Sequence, residues 1–190
     1  MNIPANSDDD SAPSLVIVMG VSGAGKSTVS QVLAERCGYV YLDADDFHSA
    51  EARAHMAAGK PLTDAMRVPW VEAICQHLRK LAADGTDVVL AFSGLRKAHR
   101  EPLRQCGYKT RFLFLDGDRE TITARLQART GHFMPSSLLD SQFASLERPS
   151  SAEPDVQVLD ITPPLEQLLD QAMRLLQSDD MEQRAQSRSH

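Results

Sequence analysis

Three glycines, a lysine and a serine stand at a spacing suited to holding a chain of phosphates. The run Gly20-Val21-Ser22-Gly23-Ala24-Gly25-Lys26-Ser27 matches the pattern G-x-x-x-x-G-K-[ST] in full and follows directly on the apolar stretch Leu15-Val16-Ile17-Val18-Met19. Phosphates are wrapped by backbone N–H groups, which requires glycine wherever a Cβ would block the turn or the approach. Lys26 adds a point charge, and a helix beginning near Ser27 aims its free N–H groups and positive dipole end at the same anion. The Ser27 hydroxyl is placed to ligate a bridging Mg²⁺. The expected ATP-binding residues are therefore Gly20, Val21, Ser22, Gly23, Ala24, Gly25, Lys26, Ser27 and Thr28, with ATP and Mg²⁺ as cofactors.

A cradle alone does no transfer. Phosphoryl transfer also needs cations over the moving group and a carboxylate to take the acceptor hydroxyl's proton. Asp43-Ala44-Asp45-Asp46 follows the short apolar run Tyr39-Val40-Tyr41-Leu42, so these carboxylates are expected at the strand edge that carries the phosphate loop. Asp45 is the expected base. Asp43 takes an outer-shell role at Mg²⁺, by analogy with small-molecule kinases that carry Asp-x-Asp here. Arg125 and Arg129 lie four apart on one helix face, just before Gly131-His132-Phe133, and fit a lid whose arginines close over the ATP phosphates. Arg67, Arg96 and Arg100 are the further cations, of which an acceptor carboxylate needs one or two, although each alone reads equally as a surface charge. His48 is placed to orient an acceptor hydroxyl, whereas His55, His77 and His99 read as helix-surface positions, and Trp70 reads as a core anchor.

The elements that must position these residues alternate strand and helix. Buried runs at 15–19, 39–42, 88–92, 111–115 and 156–160 are separated by helical patterns, which predicts a doubly wound five-stranded parallel α/β sheet. A helix is expected over 49–58, with Asp64 as the cap of a long helix through Trp70, Ile74, Leu78 and Leu81. Further helices are expected over 97–106, after Asp118, over 136–146 and over 165–176. One domain over 14–177 is expected, with a substrate-side helical insertion at 49–70 and a lid at 125–149. The polar segments 1–13 and 178–190 read as disordered tails.

The chain has 190 residues and a formal charge of −6, which gives no global basic field for nucleic acid. Its three cysteines, Cys37, Cys75 and Cys106, are an odd number and widely spaced, so they read as reduced packing residues of a cytoplasmic protein. No run approaches the length needed to span a bilayer.

The motifs taken together resemble gluconokinases of the small P-loop type. The resemblance runs from about Leu15 to Leu176. It rests on Met19 to Ser27, Asp43-Ala44-Asp45-Asp46-Phe47-His48, Gly59-Lys60-Pro61-Leu62-Thr63-Asp64, Arg67 with Pro69-Trp70, and Gly131-His132-Phe133-Met134-Pro135 through Ser141-Gln142-Phe143 to Pro149. It implies an adenylate-kinase-like core, phosphorylation of D-gluconate by MgATP, a homodimer, and acceptor contacts at Asp45, His48, Arg67, Ser93, Arg96 and His132. On the acceptor side the chain departs from the family pattern at Ser49, Ala52, His55, Met66, Gly94, Arg96, His99 and Glu101. A site built on specific hydrogen bonds changes selectivity when such groups are replaced. A different sugar acid is therefore an alternative acceptor, and a non-catalytic nucleotide-binding regulator is the alternative from another class.

Overall fold

The structure, a computed structural model, describes residues 12–128 and 136–187. The apolar runs form β1 (Ser14–Met19), β2 (Val40–Asp43), β3 (Val88–Ala91), β4 (Lys109–Asp116) and β5 (Val156–Asp160). They make one parallel sheet in the order β2-β3-β1-β4-β5. The helices are α1 (Lys26–Cys37), α2 (Ala50–Ala57), α3 (Asp64–Ala83), the short α4 (Lys97–Arg100), α5 (Arg119–Ala128), α6 (Ser136–Ser145) and α7 (Leu165–Ser187).

Helices cover both faces, so the central strands must be apolar on both, and successive residues serve opposite cores. Leu15, Ile17 and Met19 of β1 pack with Val88, Leu90, Phe112 and Phe114 against Trp70, Val71, Ile74 and Leu78 of α3. Val16 and Val18 pack with Val89, Leu113 and Leu115 against Val29 and Leu33 of α1 and Leu168, Leu169 and Ala172 of α7. The register sets Ala91 opposite both Val18 and Asp43. The end of β2 and the turn after β1 therefore open on the same edge, where the strand order reverses and ligands bind in sheets of this kind.

Several expectations change in detail. Thr63, not Asp64, caps α3: its hydroxyl accepts the Met66 N–H at 3.2 Å, and Asp64 is the first helical residue. The helix expected over 97–106 stops at Arg100 and continues as a 3-10 turn over Glu101–Gln105, because Pro102 has no N–H to carry the α ladder forward. His99, expected on the surface, is buried. The terminal helix does not end at Leu176 but runs to Ser187. Arg111 holds the extension, donating to the Leu176 carbonyl at 2.8 Å and pairing with Asp180 at 3.0 Å. Residues 1–11 lie outside the described residues. No helix among the described residues is long and apolar enough to cross a membrane.

Arg100 is the largest departure, because it is not a surface charge and does not reach the acceptor side. Its side chain is fully buried, forks onto both carboxylate oxygens of Glu153, and donates through Nη1 to the Gly94 carbonyl at 2.7 Å. Arg104 joins the cluster through Glu153 and Asp155. Arg100 and Arg104 hold the Glu153 carboxyl at about 2, against an ordinary 4.5. Its contribution to stability is complete above the ordinary value and is lost as pH falls from 4.5 towards 2. Glu153→Gln leaves the Arg100 guanidinium buried without its carboxylate, which costs about 3–5 kcal/mol. Urea unfolding at pH 7 should show that loss, and the variant's melting temperature should fall less steeply than the wild type's on acidification below 4.5.

Candidate active site

The phosphate cradle is built from backbone conformations open to glycine. Gly20, Gly23 and Gly25 have φ of +150°, +83° and +99°. A Cβ on Gly20 would lie 2.9 Å from the Leu115 carbonyl oxygen, and one on Gly23 would lie 2.7 Å from Leu126 Cγ. The turn closes through Ala24 N–H to Val21 O at 3.2 Å, and Gly25 caps α1 in the left-handed region. The first-turn N–H groups of Lys26, Ser27 and Thr28 have no helical acceptor above them and open on solvent, with Ser27 and Thr28 exposed. Lys26 Nζ donates to the Val21 carbonyl at 3.0 Å.

The carboxylates arrive from β2. Asp43 caps the 3-10 turn Ala44–Phe47, accepting the Asp45 N–H at 2.9 Å through Oδ1. Its other oxygen receives the Tyr41 hydroxyl at 3.2 Å and the Ser27 hydroxyl at 3.4 Å. The two residues expected at Mg²⁺ thus meet. Among the described residues no cluster of three or more His, Cys, Asp or Glu side chains could hold a metal. Ser27 and Asp43 nevertheless offer hard oxygen donors beside a phosphate cradle, which fits a Mg²⁺ shared with nucleotide phosphates.

Asp45 faces a cavity of about 330 Å³ whose lining includes Lys26, His48, Arg53, Arg67, Ser93 and Gln142. His48 Nε2 lies 3.5 Å from Asp45 Oδ1, and its ring stacks on Trp70 with centroids 4.4 Å apart. Trp70 is fixed in turn by its indole N–H on the Ala44 carbonyl at 2.7 Å. His48, then Lys26 and Arg53, hold the Asp45 carboxyl below its ordinary range against the opposing effect of desolvation. Asp45 is therefore an anion at neutral pH, ready to accept a hydrogen bond from a hydroxyl.

The other expected site residues divide. Arg67 is buried, lines the cavity and donates to Asp64 at 3.2 Å. Arg96 is absent from the lining and lies between Asp64 at 3.8 Å and Glu147 at 3.7 Å. Arg125 donates to the Ile161 carbonyl. Arg129 and His132 lie outside the described residues. Two residues to which sequence reasoning gave no site role lie close to the site. Gln142 on α6 accepts the Ser22 N–H at 2.7 Å and donates to the Ser22 hydroxyl at 2.9 Å, so α6 is docked on the phosphate loop. Its 120-residue separation from Ser22 leaves no local signal. His99 is held below its ordinary range by burial and by the nearby charges of Arg67 and Arg96. The break at Pro102 was the available clue that its helix would not present a simple surface face.

The chain is similar to known gluconokinases over most of its length. A family model described as an AAA domain matches residues 15–149. A probable gluconokinase of Mus musculus is 43% identical over 164 residues, covering 77% of this chain and 89% of the relative. A gluconokinase of Arabidopsis thaliana is 45% identical over 152 residues, covering 73% and 80%. The crystal structure of a gluconokinase from Sinorhizobium meliloti 1021 superposes with a TM-score of 0.81 at 37% identity, covering 94% of this chain and 98% of that one.

The cradle has a direct test. Gly23→Val combines a disfavoured φ with a side chain pressed into Leu126. The strain of such a site, about 1–3 kcal/mol, should appear in urea unfolding. Titration calorimetry should show MgATP affinity falling at least ~10-fold, since the added side chain displaces the N–H groups around the phosphates.

Proposed function

Because this chain belongs to the gluconokinase family, we propose that it transfers the terminal phosphoryl group of ATP to the 6-hydroxyl of D-gluconate, releasing ADP and 6-phospho-D-gluconate. The observation that carries the reading is the common cavity, in which Lys26 of the phosphate cradle and the ionised Asp45 face the same space. Lys26 and the N–H groups at the start of α1 bind and orient the phosphates. Asp45 holds the acceptor hydroxyl and takes its proton as the new O–P bond forms and the bond to the leaving ADP oxygen breaks. His48, braced by Trp70, keeps the Asp45 carboxylate ionised and aimed. Mg²⁺, when bound, neutralises charge on the phosphates, and Ser27 with Asp43 would hold it. Arg125 and Arg129 are the proposed lid cations, and His132 a proposed acceptor contact.

The family resemblance extends to a homodimer acting in the cytoplasm. Sedimentation should then report twice the chain mass of 20.9 kDa.

Coupled ADP release tests the activity. MgATP with D-gluconate should give turnover that D-glucose, shikimate and AMP do not match, and the absence of gluconate-dependent ADP release overturns the reading. Asp45→Asn should lower kcat by roughly 10²–10⁴ while leaving MgATP affinity unchanged, as loss of a general base requires. Full kcat in that variant places the base elsewhere.

A further inference from the structure

We propose that Arg53 binds the carboxylate of the acceptor and so makes the site selective for an acid over the corresponding neutral sugar. The inference rests on the sugar-acid reading above and deepens it. Among the described residues three cations line the cavity: Lys26, Arg53 and Arg67. Lys26 belongs to the phosphate cradle and turns its ammonium to the Val21 carbonyl. Arg67 already has a carboxylate partner, Asp64, on its Nη1. Arg96 stands outside the cavity between two carboxylates, and Arg100 is consumed by Glu153.

Arg53 differs from all of these. Its Nε donates to the His48 carbonyl at 3.3 Å, and its Nη2 donates to the carbonyls of Asp45 at 3.4 Å and Asp46 at 3.3 Å. Neutral carbonyls fix the plane of the guanidinium without cancelling its charge. Among the described residues no carboxylate lies at ion-pair distance, and Nη1 has no hydrogen-bond partner. A guanidinium already oriented, with one edge still able to donate, is a preorganised receptor for a carboxylate oxygen. Beside it Met56, Pro61 and Leu62 give the cavity an apolar wall suited to the carbon chain of a sugar acid. The same arginine ties the acceptor contact to the loop that carries Asp45, so binding the acid end also steadies the reacting end.

Steady-state ADP release by wild type, Arg53→Gln and Arg53→Lys tests this, with D-gluconate and MgATP varied in turn. Loss of a charge-assisted hydrogen bond should raise KM for gluconate roughly 10- to 100-fold in Arg53→Gln. KM for MgATP should stay within about twofold, and kcat should fall by less than the gluconate KM rises, because Arg53 also acts on the Asp45 carboxyl and its loop. Arg53→Lys, which keeps the charge, should recover most of the gluconate affinity, and the gluconate KM of wild type should rise with ionic strength more steeply than that of Arg53→Gln. A gluconate KM unmoved in Arg53→Gln overturns the proposal, and a fall in kcat alone shows that Arg53 only braces the Asp45 loop. If wild type itself releases no ADP with gluconate, the reading of the activity fails, and this inference fails with it.

Discussion

The hydrogen bond from the Gly20 N–H to the Ser93 carbonyl, 3.1 Å long, joins the phosphate loop to the 93–95 loop across the cavity. Gly20 can make it only because the backbone there runs at φ +150° against the Leu115 carbonyl, a place no Cβ could occupy without displacing β4. The next two carbonyls along the same loop are also held. Gly94 O takes the buried Arg100, and Leu95 O takes the Glu147 N–H at 2.7 Å. Three successive carbonyls are thereby fixed by the phosphate loop, by a buried ion pair and by the segment after α6. Ser93 and Leu95 present themselves to the cavity from a loop with no freedom to drift.

Charge in the cavity follows the same economy of partners. Asp45 is kept anionic by His48, Lys26 and Arg53, yet remains open to a hydroxyl. Arg67 is satisfied by Asp64, and Asp43 is occupied by Tyr41, Ser27 and the Asp45 N–H. Carboxylates at the two ends of β2's turn thus differ in their partners: Asp43 accepts from Tyr41, Ser27 and the Asp45 N–H, and Asp45 faces His48, Lys26 and Arg53. Gln142 on Ser22 docks α6 against the phosphate loop at the same cavity.

What could be read from the sequence was local or periodic. The phosphate loop was legible because glycine, lysine and serine act within eight residues of one another, and the strands because burial on both faces leaves unbroken apolar runs. Ser27 and Asp43 were brought together by the phosphate-loop motif and by analogy with kinases that carry Asp-x-Asp at a strand's end. The contacts that escaped notice are long-range and polar: Gln142 on Ser22, Arg100 on Glu153, Arg111 on the end of α7. An arginine that will be buried looks the same in sequence as one in solvent, because the carboxylate that decides it lies 53 residues away. Thr63 and Pro102, by contrast, carried local signals, a cap and a ladder break, that a finer reading of capping and proline chemistry would have caught.

The measurement closest to the central claim is a crystal structure with a non-hydrolysable ATP analogue, Mg²⁺ and D-gluconate bound together. The account predicts the terminal phosphate on Lys26 and the start of α1, with the 6-hydroxyl of gluconate between that phosphate and the Asp45 carboxylate, within hydrogen-bond reach of the latter. Gluconate seated elsewhere, or with Asp45 turned away from its 6-hydroxyl, would contradict it.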